Sequence, residues 1–230
     1  MRKAFHDELD RITADLVEMT RLARSAMSRA TTALLDADVA LAESVIDADA
    51  DLDRLREHLD DTAIDLLALQ QPVATDLRMV VTAMRMSADL ERMGDLARHV
   101  AKIARLRYPN PAVPAEYRSV IVDMGRAAET IVLKAGDVIV TRDIEGARAV
   151  DREDDTMDDL HRRLVERIVA EGRDHGTETA VDLTLIARYY ERYADHAVSV
   201  AERVIYLVTG QYDGDAESSH EDREDVVLGS

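Results

Sequence analysis

Apolar residues recur every three or four positions along most of the chain, a spacing that predicts long helices packed lengthwise against one another. Six such segments can be distinguished. The second runs roughly from Val39 to Leu69, and Pro72 prevents the helix from continuing. The third runs roughly from Val73 to Leu106. The apolar stripe of the first segment comprises Leu9, Ile12, Leu16, Met19, Ala23, Ala26, Ala30, Ala33 and Ala37. The stripe of the second comprises Val45, Leu52, Leu55, Leu59, Leu66 and Leu69.

A proline-rich stretch separates the first three segments from the last three. Residues 108–114 hold three of the four prolines, and the apolar pattern restarts after them at Tyr117. The fourth stripe aligns with the first at a shift of 105 residues. The fifth segment ends near residues 172–176, and the sixth ends at Gly210, a residue type that favours helix termination.

This organisation predicts an all-α protein made of two tandem three-helix bundles. We assign residues 1–107 to the first bundle, residues 108–114 to a linker and residues 115–210 to the second bundle. The last stretch, residues 211–230, carries seven acids against one arginine and has no apolar stripe. Its composition is typical of a disordered acidic tail.

Composition restricts the classes of function that the chain can have. The net charge of −18 argues against nucleic acid as a partner, because the phosphate backbone would repel the protein. The chain has no cysteine, so disulfides and thiolate metal ligands are excluded. We find no signal peptide and no apolar run long enough for membrane insertion, so a cytoplasmic protein is expected.

One short motif occurs twice and carries the same two acids each time. Residues 88–101 read ADLERMGDLARHVA, and residues 188–201 read RYYERYADHAVSVA. At a shift of 100 residues the motif E-R-x-x-D coincides in both copies. The acids of each copy share one helix face because they are four positions apart. The repeated residues are Glu91, Arg92 and Asp95 in the first copy and Glu191, Arg192 and Asp195 in the second.

The second helix of each half adds a further pair of acids with the same spacing. The pair Asp49 and Asp53 flanks Leu52, and the pair Asp154 and Asp158 flanks Met157. Four carboxylates that converge repel one another, and a hard cation such as Mg²⁺, Ca²⁺, Mn²⁺ or iron would relieve this repulsion. The sequence therefore indicates two candidate metal sites, one in each half.

Simpler interpretations of the same residues remain open at this stage. Acid pairs with this spacing also occur on solvated helix faces, as would be expected in a chain with 47 acids. Arg92 and Arg192 either orient a carboxylate or lie on the helix surface, and His196 is either a nitrogen ligand or a helix-flank residue. No nucleophile–base set, glycine-rich phosphate loop or inward Glu-x-x-His pair occurs, so we expect no enzymatic activity.

Three longer stretches resemble the PhoU family of phosphate-signalling regulators. They are LQQPVATDLR at residues 69–78, DLERMGDLARHVAKIA at residues 89–104 and DLTLIARYYERYADHAVSVAERVIYLVTG at residues 182–210. The resemblance implies two three-helix bundles related by a pseudo-twofold axis, and a protein that forms homodimers or higher oligomers. It also implies multinuclear metal clusters of iron, zinc, manganese or magnesium. By position, the implied ligands are Asp49, Asp53, Glu91, Asp95, Asp154, Asp158, Glu191 and Asp195.

The resemblance also implies a regulatory role. Such a protein couples a Pst-type phosphate ABC transporter, through its ATPase subunit, to a sensor histidine kinase. It represses the phosphate-starvation response when phosphate is plentiful and helps control phosphate uptake. The protein would then be cytoplasmic and would reach the inner face of the membrane only through its partners. Two alternatives are a carboxylate-bridged metalloenzyme acting on phosphate esters and a purely structural helical scaffold.

Overall fold

The computed structural model describes residues 2–171 and 175–211, and its regular secondary structure within these ranges is helical throughout. The long helices are α1 (Arg2–Asp36), α2 (Val39–Gln70), α3 (Ala74–Arg107), α4 (Arg118–Thr141), α5 (Ile144–Glu171) and α6 (Gly176–Thr209). A short 3₁₀ helix, Ala115–Tyr117, precedes α4. The predicted all-α fold with six long helices is confirmed. The predicted acidic tail beyond Gln211 and residues 172–174 at the predicted end of α5 lie outside the described residues.

The helix ends follow from local residue chemistry. Asp38 caps the start of α2, since its side-chain Oδ1 accepts a hydrogen bond from the Leu41 amide at 2.9 Å. The last turn of α2 gives way to Gln71 in the left-handed region, directly before Pro72. Gly210 has a φ of 81° and its amide donates to the Tyr206 carbonyl at 2.8 Å. That left-handed geometry suits glycine and ends α6.

The six helices form two bundles that pack side by side. Helices α1, α2 and α3 contact one another in the first bundle, as α4, α5 and α6 do in the second. Across the boundary, α1 packs on α4 and α3 packs on α6. The contacts between bundles thus join equivalent helices, as expected for halves related by a pseudo-twofold axis. Helices α2 and α5 lie on opposite outer sides, and one continuous hydrophobic core runs through both bundles.

The predicted apolar stripes are correct in outline, with three differences. Ala37, assigned to the first stripe, lies just beyond the end of α1 with a φ of 51°. In α1 the buried face is wider than the stripe, because this helix contacts α2, α3 and α4 and buries Met27 and Leu34 as well. At the end of α2, Leu69 was assigned to the stripe but is 77% exposed. It lies in the last turn of α2, directly before the α2–α3 connection, and its side chain points to solvent. The remaining stripe residues of α2 are buried or half-buried.

Polar contacts tie the bundles together within the packed interface. The Tyr190 hydroxyl on α6 lies 2.6 Å from Thr31 Oγ1 on α1, and both groups are buried. Arg107, in the last turn of α3, donates from Nη2 to Asp182 Oδ1 on α6 at 3.0 Å, and its Nε also binds this carboxylate. These contacts fix the relative position of the two halves, and with it the position of the two E-R-x-x-D copies. Among the described helices, none combines the length and the apolar character needed to cross a lipid bilayer.

Candidate functional site

The structure brings the predicted ligand residues together as two clusters, one on the outer side of each bundle. The first cluster comprises Asp49 and Asp53 from α2 with Glu91 and Asp95 from α3. The second comprises Asp154 and Asp158 from α5 with Glu191 and Asp195 from α6. The members of each cluster interact electrostatically, since each cluster contains a carboxyl whose pKa is raised by burial and further by the charges of its neighbours.

Gly94 determines how closely α2 approaches α3 at the first cluster. A Cβ at this position would lie 2.5 Å from Leu52 Cδ1 and 3.3 Å from Asp49 Oδ1. The absence of a side chain therefore allows α2 to pack against α3 and places Asp49 beside the E-R-x-x-D copy. The equivalent residue in the second half, Ala194, is also small and fully buried.

Arginine neutralises much of the first cluster. Arg98 Nη1 lies 2.9 Å from Asp49 Oδ2, and Nη2 of the same guanidinium binds Asp95. Asp49 is only 7% exposed. Its burial, together with the charges of Asp95, Asp53 and Glu91, raises its pKa to about 6, although Arg98 opposes this increase.

The remaining acid of the first E-R-x-x-D copy lies between two further arginines. Glu91 Oε2 is 3.4 Å from Arg56 Nη1 and 3.7 Å from Arg92 Nε. Burial, followed by the charge of Asp95, raises the pKa of Glu91. The first cluster is therefore an arginine–carboxylate network in which positive charge from the chain itself faces most of the acids.

The second cluster lacks this compensation. At the shift of 100 residues that aligns the two motif copies, Val198 stands in place of Arg98. At the shift of 105 residues that aligns the second helices, His161 stands in place of Arg56. Arg188 pairs with Glu191, but the residues that the structure describes supply no ion pair to Asp154, Asp158 or Asp195. The difference between the clusters lies in residues outside the repeated motif.

Asp154 is the group most affected by this lack of compensation. Its Oδ1 atom is buried without a hydrogen-bond partner. Burial and then the charges of Asp158 and Asp195 raise the pKa of Asp154 to about 7. The pKa of Asp195 is also raised, by burial and then by Glu191. A carboxylate in such surroundings is stabilised by either a proton or a cation.

The two clusters differ in how well they suit a metal ion. Within residues 2–171 and 175–211, no three Asp, Glu or His side chains are arranged so that they could hold one ion. In the first cluster the carboxylates are turned toward Arg98, Arg56 and Arg92, which a cation would have to displace. The second cluster also lacks three acids placed to hold one ion, but no arginine pairs with Asp154 among the described residues. Each cluster has one buried carboxylate oxygen without a hydrogen-bond partner, Glu91 Oε2 in the first and Asp154 Oδ1 in the second. Metal binding by the eight acids remains a prediction.

Sequence analysis missed the groups that surround the repeated motif. The Asp89 carboxylate of α3 accepts hydrogen bonds from His196 Nδ1 at 3.1 Å and Arg203 Nε at 2.7 Å, both on α6. Burial would raise the pKa of Asp89, but these two hydrogen bonds outweigh it and lower the pKa. His196, weighed above as a nitrogen ligand, thus joins the two bundles. The role of Arg98 could have been suspected, because it lies three residues after Asp95 on the same helix face.

Comparison with known proteins identifies the family. The model of the PhoU domain matches the chain twice, over residues 16–104 and 121–204. The chain belongs to the PhoU family. The two matches fall on the two bundles, so each bundle is one PhoU domain.

Relatives of known name match almost end to end. The phosphate-specific transport system accessory protein PhoU homolog 2 of Mycobacterium tuberculosis is 48% identical over 212 residues, which is 92% of this chain and 100% of that protein. The PhoU homolog 1 of Mycobacterium leprae is 45% identical and covers 94% of this chain and 97% of its own length. These names describe accessory proteins, and the PhoU family is one of regulatory and accessory proteins rather than enzymes.

Solved PhoU structures share the fold. The crystal structure of PhoU from Pseudomonas aeruginosa superimposes with a TM-score of 0.79 at 30% identity, over 90% of this chain and 100% of that one. The phosphate transport system regulatory protein PhoU from Streptococcus pneumoniae gives a TM-score of 0.82 at 26% identity, over 90% and 98% of the two chains. The paired PhoU domains described above are therefore the architecture of the family.

Proposed function

We propose that this protein is a negative regulator of the phosphate-starvation response that acts on a phosphate ABC transporter and helps control phosphate uptake. The observation that carries the proposal is the 48% identity to a relative named as a phosphate-specific transport system accessory protein. The match covers 92% of this chain and 100% of that relative. A role of this kind needs binding surfaces rather than catalytic groups, which agrees with the charged, solvent-exposed helix faces of both bundles.

The proposed partners are the ATPase subunit of the transporter and a sensor histidine kinase. The protein would act in the cytoplasm and would couple the state of the transporter to kinase signalling. Purified ATPase subunit and kinase, each immobilised separately, are expected to retain this protein. Failure of both to bind it, in preparations where the ATPase subunit hydrolyses ATP and the kinase autophosphorylates, would contradict the adaptor role.

Metal binding at the second cluster forms part of the same proposal. Asp154, Asp158, Glu191 and Asp195 would hold a hard cation, with iron, zinc, manganese or magnesium as candidates. The cation would supply the positive charge that Arg98 supplies in the first cluster and would rigidify the outer face of the second bundle. Support comes from the unbonded oxygen and raised pKa of Asp154.

The regulatory proposal is tested by deleting the gene and measuring a phosphate-starvation transcript in phosphate-rich medium. Deletion is expected to derepress the transcript, and restoring the intact chain should reverse this effect. Unchanged expression after deletion of every copy in the genome would contradict the proposal.

A second PhoU gene in the same genome could mask the effect of deleting this one, so the experiment needs a control. One strain of Mycobacterium tuberculosis has both a PhoU homolog 1, 44% identical to this chain, and a PhoU homolog 2, 48% identical. Single and double deletions should therefore be compared where a second copy exists. Restoring this chain alone in the double deletion then measures its own contribution.

Self-association is the last part of the proposal. The family resemblance implies a homodimer or a higher homo-oligomer. Sedimentation velocity over a range of protein concentrations measures this directly. A sedimenting species of twice the chain mass of 25.6 kDa, or more, is expected. A monomer at all concentrations would contradict it.

A further inference from the structure

A cleft with a volume of about 470 Å³ lies between α3 and α6, beside the two copies of the E-R-x-x-D motif. Three arginines line it: Arg92 from α3, and Arg188 and Arg192 from α6. The chain as a whole has a net charge of −18, so these three guanidinium groups form a local concentration of positive charge in an acidic protein. Its volume is within the range of pockets that bind small molecules.

The position of the cleft explains why the arginine of the motif occurs in both copies. Arg92 and Arg192 align at the shift of 100 residues, and both line this one cavity. Leu96 and His196 form a second aligned pair that lines it. The cleft therefore lies where equivalent residues of the two halves face each other. Of the acids of the motif only Asp95 is among the residues that line this cleft, whereas both arginines of the motif line it.

The guanidinium groups in the cleft are available to a ligand. Arg192 is exposed and, within the described residues, forms no ion pair or hydrogen bond. Arg92 binds Asp95 at 2.9 Å, and Arg188 binds Glu191, but these arginine side chains are 62% and 54% exposed. Ion pairs as exposed as these contribute only about 0–1 kcal/mol, so a multivalent anion can replace the carboxylate partners.

The cleft also offers a flat surface beside the arginines. The His99 ring stacks on Tyr189, with centroids 5.2 Å apart and an angle of 23° between the planes. Both residues line the cleft. One acid, Asp95, also lines the cleft, and it pairs with Arg98 as well as with Arg92. The lining thus combines positive charge with an aromatic wall.

We propose that this cleft binds a small molecule that carries two or more phosphoryl groups. Guanidinium groups match the oxygens of a phosphoryl group with paired N–H donors. Three such groups in a cavity of about 470 Å³ provide more charge and more space than a single orthophosphate needs. The ligand is either an inorganic phosphate chain or a nucleoside polyphosphate whose base stacks on the aromatic wall. This assignment is independent of the regulatory role, because it concerns binding by the isolated protein.

Isothermal titration calorimetry on the full chain tests the proposal. The probes are inorganic triphosphate, ATP and, as a polyvalent carboxylate control, citrate, all at one ionic strength. EDTA is present throughout, so that phosphoryl groups cannot bind through a metal on the outer acid clusters. Saturable binding of triphosphate or ATP is expected, with one molecule per chain.

Two exposed arginines give a matched pair of variants. R192A removes a guanidinium that lines the cleft, whereas R162A removes one on α5 that, among the described residues, pairs with Asp159 on its own helix. R192A should weaken binding by at least about tenfold, because charge-assisted hydrogen bonds are lost. R162A should leave it unchanged. Both substitutions are at exposed positions, and circular dichroism verifies that both variants are folded.

The outcomes separate the two ligand types and define failure. Equal affinity for triphosphate and ATP would identify the phosphoryl chain as the recognised group. Tighter binding of ATP, lost in Y189A, would identify a nucleotide. The proposal is overturned if neither probe binds saturably, if citrate binds as tightly as triphosphate, or if R192A binds as tightly as R162A.

Discussion

The two acidic clusters carry the same repeated acids but differ in what balances their charge. In the first, Arg98 joins Asp49 to Asp95 and two further arginines lie near Glu91. In the second, valine and histidine occupy the positions that correspond to Arg98 and Arg56. The pKa values follow this difference, with Asp49 raised to about 6 and Asp154 to about 7.

This difference shows that the E-R-x-x-D motif alone does not determine what a PhoU domain can bind. The motif fixes the place of the acids on α3 and α6. Residues one turn away then determine whether their charge is balanced by the protein or by a group from solution. In this chain arginines pair with Asp49, Glu91 and Asp95 of the first cluster, whereas Asp154 of the second has a raised pKa and no arginine partner among the described residues.

The largest effect is expected from R98V, which gives the first cluster the valine of the second. The substitution leaves Asp49 buried beside three other acids without its guanidinium partner. Because Arg98 is about 30% exposed, we expect a loss of roughly 2 kcal/mol in the free energy of unfolding at pH 8, less than for a fully buried pair. Urea denaturation measures this loss. R162A is the surface control, and an equally small change in both variants would show that Arg98 does not balance the cluster.

The second-largest effect is expected in the pH dependence of stability, which should differ between the two clusters. The Asp154 carboxyl has a pKa of about 7 in the folded chain against an ordinary value of 3.8, so the folded state retains a proton that the unfolded state loses. The contribution of Asp154 to stability is therefore present below about pH 4 and is lost as the pH rises to about 7. D154N removes this loss and should stabilise the protein above pH 7 by about 1 kcal/mol, allowing for solvent screening.

The matched variant in the first cluster is D49N. The gain in the free energy of unfolding from D49N should be smaller than that from D154N and should stop growing near pH 6. Arg98 already offsets part of the cost of the buried Asp49 charge. Urea unfolding of both variants and the unmodified chain, from pH 5 to 8.5 in EDTA, gives the two profiles. Stability differences that do not vary with pH would contradict the assigned pKa values.

The reverse substitution, V198R, supplies the second cluster with the arginine it lacks. It should lower the pKa of Asp154 from about 7 toward the value of about 6 found for Asp49. NMR titration of the aspartate carboxyl carbons measures this pKa directly. Val198 is half-buried against the core, so the fold of the variant is verified by its amide spectrum. An unchanged pKa in a folded variant would mean that the two positions are not equivalent in space.

The smallest effect is expected from R56H, which places the second-half residue in the first cluster. Arg56 is 38% exposed, and its nearest atom lies 3.4 Å from Glu91. An ion pair this exposed contributes little, so we expect a change below about 0.5 kcal/mol. The urea midpoint measures it. A loss as large as that from R98V would show that the charge balance is shared evenly among the arginines.

The fold could be predicted from the sequence because its signals are local and repeated. Apolar spacing defined all six helices, and Pro72 and Gly210 indicated two of their ends. The exposure of Leu69 could not be predicted, since the stripe does not say where the neighbouring helices stop. The grouping of the acids into two clusters follows from their positions on adjacent helices.

The charge balance of the two clusters and the cleft between α3 and α6 could not be predicted from the sequence, for a different physical reason. Whether Arg98 faces Asp49 depends on how far α2 slides along α3, which Gly94 and the core packing decide. Whether Arg92 and Arg192 meet depends on how the two bundles dock. Contacts such as that between Tyr190 and Thr31 fix that docking, and no periodicity within a single helix encodes it.

The most direct test of the difference between the clusters is the amount of Mn²⁺ bound per chain after equilibrium dialysis, measured by mass spectrometry of the metal. The variants to compare are D154N/D195N and D49N/D95N, which neutralise two aligned acids in each cluster. We expect the first double variant to lose the bound metal and the second to retain it. Loss of metal mainly from D49N/D95N, or equal loss from both, would contradict the proposal that a cation binds at the second cluster and not at the first.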